Sequence, residues 1–166
     1  MLNGADFMIR RATDADLPAL GRLGALLLRT HYAFDRDRFM APGNDPEEGY
    51  AWFLGTQLRR PDVAVFVAER NGEVLGYVYA GIEPQSWKEL REEAGFIHDV
   101  VVDEAGRRSG IARSLVEAAI DWLRARGMPR VLLGTASQNE GAQRLFDRLG
   151  FRRTMIEMTR EIEPKR

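Results

Sequence analysis

The chain has 166 residues, of which 45% are hydrophobic and 30% charged, with a formal net charge of −1 at pH 7. These values predict a single soluble domain over residues 1–166 and give no general attraction to nucleic acid. The chain contains no cysteine, two histidines far apart, no apolar run of membrane-spanning length and no signal-peptide pattern, so we expect a cytoplasmic protein without disulfides, a metal site or a membrane partner.

The first third of the chain predicts one short strand and two helices. The strand covers residues 7–11, and Thr13 and Asp16 then have the spacing of a capping box for a leucine-rich helix. Residues 31–43 mix charged, aromatic, proline and glycine residues, which predicts a loop. Asp45 begins a second helix, which runs to about residue 59.

The middle of the chain predicts a hairpin and a buried strand. Strands over residues 63–69 and 74–82 flank Asn71-Gly72, a strong two-residue turn signal. Polar residues 83–95 predict a loop, and residues 96–102 form the next strand.

The last part of the chain alternates helices and strands. A long helix over residues 109–126 is closed by Gly127, and a short strand over residues 131–134 follows it. A helix over residues 139–149 and a final strand over residues 151–161 complete the order. We therefore predict a three-layer α/β domain with one mixed central sheet, antiparallel in its first half and ending in a parallel strand pair.

The segment from His98 to Val116 is the most informative part of the sequence. A β-branched strand leads into a turn in which Gly106 and Gly110 allow a tight backbone, and an amphipathic helix follows. Such a turn directs free N–H groups at a helix N-terminus towards an anion, most often phosphate. An ordinary strand-to-helix turn is the alternative, and the glycine patterns of P-loops and dinucleotide sites are absent.

At these residues the chain resembles the GNAT N-acetyltransferase superfamily. The acetyl-CoA signature of that family, [Q/R]-x-x-G-x-[G/A], is present as Arg107-Arg108-Ser109-Gly110-Ile111-Ala112. A second family pattern is present as Asn139, Ala142, Phe146, Gly150 and Phe151, with Phe146 where the family has tyrosine. The opening Ile9-Arg10-Arg11-Ala12-Thr13 is also a common beginning in the family.

The resemblance implies acetyl-CoA as co-substrate and no metal. The turn would hold the pyrophosphate through backbone N–H groups and arginine side chains, and the pantetheine arm would lie beside the strand before it as an extra strand. The implied cofactor residues are Val100, Val101, Val102, Arg107, Arg108, Ser109, Gly110, Ile111, Ala112, Arg113, Asn139, Ala142 and Phe146.

The resemblance also implies direct transfer of the acetyl group to an amine. Because an alkylamine is almost fully protonated near pH 7, the reaction benefits from a general base. We expect Asp99 to be that base, with His98 second and Glu93 third. Neighbouring strand residues face opposite sides, so only one of His98 and Asp99 is expected to face the acetyl group. The alternatives are a hydrogen-bonded histidine and a paired carboxylate without a catalytic role.

Phe146 departs from the family pattern because it has no hydroxyl to protonate the leaving thiolate. Three interpretations remain open. Tyr77, Tyr79 or a water molecule supplies the proton, or the weakly basic thiolate leaves unassisted, or the protein binds acetyl-CoA without efficient turnover. The intact cofactor signature favours the first two.

The predicted loops over residues 31–43 and 83–95 are expected to hold the acceptor, since acidic and aromatic residues suit a cationic amine. The alternative is that these residues form an ordinary solvated surface. Those residues are Tyr32, Phe34, Asp35, Asp37, Glu83, Trp87, Glu89, Glu92 and Glu93. An acetyltransferase for small-molecule amines is favoured over one for peptide or protein amines and over a non-catalytic acyl-CoA-binding or sensory domain. A single strand after Phe151, where many members of the family have two, leaves a sheet edge at which a homodimer would form.

Overall fold

The structure is a computed structural model that describes residues 6–163. Its centre is one mixed sheet whose five strands lie side by side in chain order. The strands are β1 (Met8–Arg11), β2 (Val63–Arg70), β3 (Glu73–Glu83), β4 (Ala94–Val102) and β5 (Val131–Leu133). The strands β1 to β4 are antiparallel and β5 is parallel to β4, which confirms the predicted sheet.

Two helices cover each face of the sheet. The helices are α1 (Leu17–Phe34), α2 (Pro46–Leu58), α3 (Ile111–Ala125) and α4 (Glu140–Arg148). The apolar cluster on the first face joins α1 and α2 to β2 and β3, and includes the buried Leu20, Leu54 and Tyr77. The cluster on the second face joins α3 and α4 to the sheet through Leu115 and Phe146. None of the helices in residues 6–163 is long and apolar enough to cross a membrane.

The predicted caps and turns hold the elements where the sequence places them. The Thr13 N–H donates to Asp16 Oδ2 at 2.8 Å just before α1, as a capping box requires. Asp45 Oδ1 accepts from the Glu48 N–H at 3.1 Å and caps α2. Asn71 and Gly72 form the tight turn between β2 and β3.

The predicted loop over residues 31–43 is wrong in its first four residues, because α1 continues to Phe34. The backbone continues the helical pattern there, with the Asp35 N–H donating to the His31 carbonyl at 3.1 Å. The helix ends at Asp35, whose carboxylate accepts from the N–H groups of Asp37 and Arg38. A local side-chain turn of this kind competes with further helix.

The final strand predicted over residues 151–161 is also wrong for the single chain. These residues form no helix or strand, and all of residues 152–163 are exposed. A strand needs a neighbour that accepts and donates its backbone hydrogen bonds. β5, at the end of the sheet, has three residues and pairs with β4 alone in the described part of the chain.

Candidate active site

The edge of β4 is open over half its length. β5 pairs only with Gly95, Phe96 and Ile97, whereas β4 continues to Val102. From residue 98 onward, β4 therefore has β3 on one side and no strand on the other within residues 6–163. Such an edge presents backbone groups that can pair with an extended ligand.

A β-bulge lies at the point where β5 leaves β4. Tyr79 of β3 is opposite Asp99 and Ala80 is opposite Ile97, so His98 has no cross-strand partner. The extra residue breaks the alternation of side chains, and His98 and Asp99 both line the same cleft. The strand alternation from which only one of the two was expected to face the acetyl group is therefore interrupted at this point.

The cleft has a volume of about 350 Å³ and lies between the open edge and the helices. Its polar wall is formed by side chains from α1, α2, β4 and the loop after α1. These side chains are His31, Arg38, Tyr50, His98 and Asp99. The lining also includes Leu133 of β5, Ala142 and Phe146 of α4, and Thr135 and Asn139 between these two elements.

Asp99 is the most deeply held titratable group in the cleft. Its Oδ2 accepts from the hydroxyls of Tyr50 at 2.7 Å and Tyr77 at 2.9 Å. Burial raises the pKa of Asp99 above its ordinary value, and the two hydroxyl bonds lower it in part because they stabilise the carboxylate. Since both bonds use Oδ2, Oδ1 has no donor within residues 6–163 and is the oxygen that can accept a proton.

His98 has a different environment. Its Nε2 lies 3.1 Å from Glu83 Oε1, and its ring stacks on Phe96 with centroids 5.7 Å apart. The ring also contacts Tyr79 at a centroid distance of 4.8 Å. Aromatic contacts and a carboxylate fix the ring orientation, which suits a residue that shapes the cleft wall.

Tyr50 belongs to the site although the sequence pattern does not single it out. Its ring lies directly against Gly24 of α1, where an added Cβ would come within 2.0 Å of the ring. The absence of a side chain at Gly24 therefore lets α2 approach α1 and bring the Tyr50 hydroxyl to Asp99. Gly21, one helical turn earlier, also meets α2 closely. The paired glycines on α1 are the sequence signal that could have revealed this contact.

Replacing Gly24 with alanine is expected to push the Tyr50 ring away and break its bond to Asp99. Overpacking of this kind costs about 1–3 kcal/mol, so we expect lower thermal stability together with a changed Asp99 titration. Gly49→Ala is the matched control, because an added Cβ at Gly49 meets nothing within 4 Å. Differential scanning calorimetry and NMR titration of Asp99 measure both effects. An unchanged Asp99 titration in Gly24→Ala would contradict the role given to Gly24.

The turn between β4 and α3 has the features of an anion site. Gly110 adopts φ +83°, in the left-handed region, immediately before α3. The first helical hydrogen bond runs from the Ser114 N–H to the Gly110 carbonyl at 3.1 Å. The N–H groups of the first helical turn precede this bond and project from the helix end.

Two arginine side chains in this turn have guanidinium groups that are free to bind an anion. Arg107 and Arg108 are exposed and make no ion pair with the described residues, whereas Arg113 pairs with Glu117 at 3.0 Å. The Arg107 N–H already donates to the Glu104 carbonyl at 3.2 Å. The Ser109 hydroxyl donates to the Gly106 carbonyl and stabilises the turn. The turn could therefore hold a phosphate-like anion through the N–H groups at the start of α3.

The remaining predicted residues divide between the cleft and the core. Val100 lines the cleft, while Val101 is buried against α1 and α2 and Val102 packs towards α3. Asn139 caps α4, its Oδ1 accepting from the Ala142 N–H at 3.2 Å. Phe146 is 9% exposed.

The acceptor loops contribute unequally. His31, Arg38, Phe39 and Met40 reach the cleft from the end of α1 and the loop after it, but none of residues 83–95 lines it. Glu93 is exposed outside the cleft. Among residues 6–163, no group of three or more His, Asp or Glu side chains is arranged to hold a metal.

Comparisons with known proteins point to one family. The model of the acetyltransferase (GNAT) family matches residues 27–151. An uncharacterized N-acetyltransferase of Methanocaldococcus jannaschii is 35% identical over 100 residues, which cover 60% of this chain and 44% of that protein. A mycothiol acetyltransferase of Thermomonospora curvata is 28% identical over 169 residues, covering 95% of this chain and 54% of its own. The chain thus spans about half the length of these relatives.

Solved structures share the fold. An aminoglycoside N-acetyltransferase in complex with CoA superposes with a TM-score of 0.74 at 21% identity, covering 98% of this chain and 99% of that one. A Bacillus halodurans protein described as a transcriptional regulator gives a TM-score of 0.73 at 24% identity, covering 94% and 99%. At these identities the likeness concerns the fold.

Proposed function

Because the chain belongs to the GNAT acetyltransferase family, we propose that it transfers an acetyl group from acetyl-CoA to a primary amine by direct attack. The observation that carries this proposal is the position of Asp99. Its carboxylate lines a cleft beside the open edge of β4, and that strand leads directly into the anion-binding turn.

The cofactor site follows the strand, the turn and α4. The N–H groups from Arg108 onward would bind the pyrophosphate, with the Arg107 and Arg108 guanidinium groups adding charge. The open edge of β4 at Val100 would pair with the pantetheine arm, and Asn139 would bind that arm from α4. Bound acetyl-CoA supplies an activated acyl group in its thioester.

Asp99 would prepare the acceptor amine. An amine with a pKa of about 10.4 is neutral in roughly one molecule in two thousand at pH 7, so its deprotonation costs about 4–5 kcal/mol. Asp99 Oδ1 takes this proton directly or through one water molecule. Burial raises the pKa of Asp99, which brings it closer to the pKa of the amine. The Asp99 carboxylate is therefore a stronger base than an exposed aspartate.

The two tyrosines considered as proton donors are poorly suited to that role. The hydroxyl of Tyr77 donates to Asp99, and that of Tyr79 donates to Gln57 at 2.9 Å. Burial raises the pKa of Tyr79 to about 12 and that of Tyr77 well above its ordinary value. A proton transfer from either group to a thiolate with a pKa of about 8.5 is uphill. We infer that the thiolate leaves unassisted and takes up its proton after departure by exchange with the solvent.

The cleft favours a small acceptor. Its volume of about 350 Å³ has to hold the reacting end of acetyl-CoA as well as the amine, and its lining includes the apolar side chains of Phe39 and Met40. Two of the proteins compared above are named for acetyl transfer to mycothiol and to aminoglycosides. These names support a small-molecule acceptor over a peptide or protein amine.

Thiol release in a mixture of acetyl-CoA with small amines, N-terminal peptides and lysine peptides tests this function. We expect stoichiometric thiol release and acetylated product with at least one small amine. Turnover on peptides alone would move the acceptor to proteins. Acetyl-CoA binding without turnover on any amine would favour an acyl-CoA-binding or sensory domain.

Replacing Tyr50 with phenylalanine is expected to shift the acidic limb of the pH–rate profile to higher pH. The variant lacks a hydrogen bond that stabilises the Asp99 carboxylate, so the pKa of Asp99 rises further. Bonds to charged groups contribute about 1.5–3 kcal/mol, which corresponds to roughly one to two pH units. Tyr32→Phe is the control, since Tyr32 makes no bond to Asp99. A limb at the wild-type pH in Tyr50→Phe would contradict the assignment.

A further inference from the structure

The cleft contains one cationic and one anionic side chain on different elements. Among the described residues that line it, Arg38 is the only lysine or arginine and Asp99 is the only carboxylate. Asp99 belongs to β4, whereas Arg38 belongs to the loop after α1. A molecule that carries both an ammonium group and an anion complements this pair better than an amine with positive charge alone.

The loop after α1 holds Arg38 in a defined place. The Arg38 N–H donates to Asp35 Oδ1 at 3.1 Å, and the Phe39 N–H donates to the Asp35 carbonyl at 3.0 Å. The guanidinium of Arg38 lies over the Phe39 ring, 5.0 Å from its centroid. Because Asp35 fixes the backbone and Phe39 supports the side chain, binding an anion at Arg38 requires little further ordering of the loop.

Arg38 already binds a carboxylate, that of Glu157 in the exposed segment after α4. Arg38 Nη2 donates to Glu157 Oε2 at 2.9 Å, and Arg38 Nε donates to the other carboxylate oxygen. This is the forked geometry in which arginine recognises a planar carboxylate. The two side chains are 42% and 66% exposed, and ion pairs so open to solvent contribute little to stability. A carboxylate on a ligand in the cleft can therefore replace Glu157 at a small cost.

The anion site assigned to the cofactor is separate from Arg38. The turn between β4 and α3 contributes no residue to the cleft lining. That turn leads into α3 on the second face of the sheet, whereas Arg38 follows α1 on the first face. This separation assigns Arg38 to the acceptor rather than to the phosphates of CoA.

We propose that the acceptor is an amine that also carries a carboxylate, and that Arg38 binds this carboxylate in place of Glu157. The ammonium group of the acceptor then lies at Asp99, which takes its proton, while the Arg38 fork holds the other end of the molecule. Glu157 competes for Arg38 and lowers the affinity for the acceptor. The proposal rests on the acetyl transfer proposed above and names the class of acceptor for it.

Matched acceptors test the proposal. A series of ω-amino carboxylates of increasing chain length is compared with the corresponding carboxamides, and the selectivity is kcat/KM for the carboxylate divided by kcat/KM for its carboxamide. Comparing each variant with the wild type cancels the difference in basicity between the two amines. Arg38→Gln is expected to lower the selectivity roughly 10-fold or more, because it removes charge-assisted hydrogen bonds. Arg38→Lys should keep part of the selectivity, since lysine retains the charge and lacks the fork.

Two further variants separate competition from general charge. Glu157→Gln is expected to raise the selectivity up to about 5-fold, because the competing carboxylate is gone. Arg36→Gln is the matched control. Arg36 lies in the same loop with its guanidinium 5.7 Å from the Tyr32 ring centroid, and it does not line the cleft. This variant should keep the wild-type selectivity, and circular dichroism verifies that each variant is folded.

An unchanged selectivity in folded Arg38→Gln overturns the proposal, because loss of a merely structural ion pair lowers kcat/KM for both members of a pair alike. A selectivity in Glu157→Gln no higher than that of the wild type overturns the competition by Glu157. Calorimetric titration of each carboxylate and carboxamide in the presence of CoA measures the same preference without turnover. Carboxylate binding that depends on Arg38, without turnover of any amine, supports this proposal and contradicts acetyl transfer alone.

Discussion

Replacing Asp99 with asparagine is expected to lower kcat by roughly 10²- to 10⁴-fold, the usual contribution of a positioned general base. The affinity for acetyl-CoA should remain nearly unchanged, because the cofactor contacts proposed above use β4 backbone, the turn and α4. Steady-state kinetics with an acceptor amine, combined with calorimetric titration of CoA, separates the two effects.

The pH–rate profile gives the sharper result. The carboxylate is the active form of the base, so activity is present above the raised pKa of Asp99 and is lost as the pH falls through it. The Asp99→Asn variant should lack this acidic limb. His98→Gln and Glu93→Gln are the controls for the other two candidate bases. If His98→Gln abolishes the limb and Asp99→Asn keeps it, His98 is the base.

Loss of activity in Asp99→Asn should not come from unfolding. The folded-state pKa of Asp99 is higher than the unfolded value, so ionisation favours the unfolded chain. Stability therefore falls as the pH rises from the ordinary pKa of aspartate through the raised one. Asparagine carries no charge and can still accept from Tyr50 and Tyr77. We expect its melting temperature at pH 7 to equal or exceed that of the wild type.

Replacing Gly110 with valine is expected to weaken CoA binding roughly 10- to 100-fold. An added Cβ meets nothing within 4 Å, but Gly110 has φ +83°, which a β-branched residue adopts only at a cost of about 1–3 kcal/mol. The backbone would relax to another conformation and turn the N–H groups of the site away from a common point.

Gly127→Val provides a control with the same backbone strain. Gly127 has φ +81° and open space around it, but it lies at the far end of α3. This variant should lose stability to a similar extent and keep wild-type affinity for CoA in calorimetric titration. Equal CoA affinity in Gly110→Val and the wild type would remove the turn from the cofactor site.

The part of the site that the sequence predicts well is encoded locally. β-branched residues specify β4, and Gly110 specifies a left-handed residue at the start of α3, so strand, turn and helix follow from neighbouring residues. The bulge at His98 is different. It depends on how β4 pairs with Tyr79 and Ala80 of β3. The sequence of one strand does not determine the register in which it pairs with its neighbour.

Long-range contacts explain the other differences. Tyr50 is 49 residues from Asp99 in the chain, and only the packing of α2 on α1 at Gly24 brings them together. Weak alternation of apolar and polar residues over residues 151–161 is the basis for predicting a final strand. Alternation shows that a segment is suited to a sheet, but whether a neighbour is present depends on the rest of the assembly.

The short pairing between β4 and β5 leaves the two sides of the cleft only weakly connected. Three residue pairs join the two strands, while Asp99 lies on the β4 side of the cleft and Asn139 and Phe146 lie on the β5 side. The smaller side, β5 with α4, should therefore open in local fluctuations at a lower free energy than global unfolding. A ligand that bonds to both sides would hold β5 and α4 against β4. The three residue pairs between β4 and β5 therefore govern both the width of the cleft and the rigidity of its smaller side.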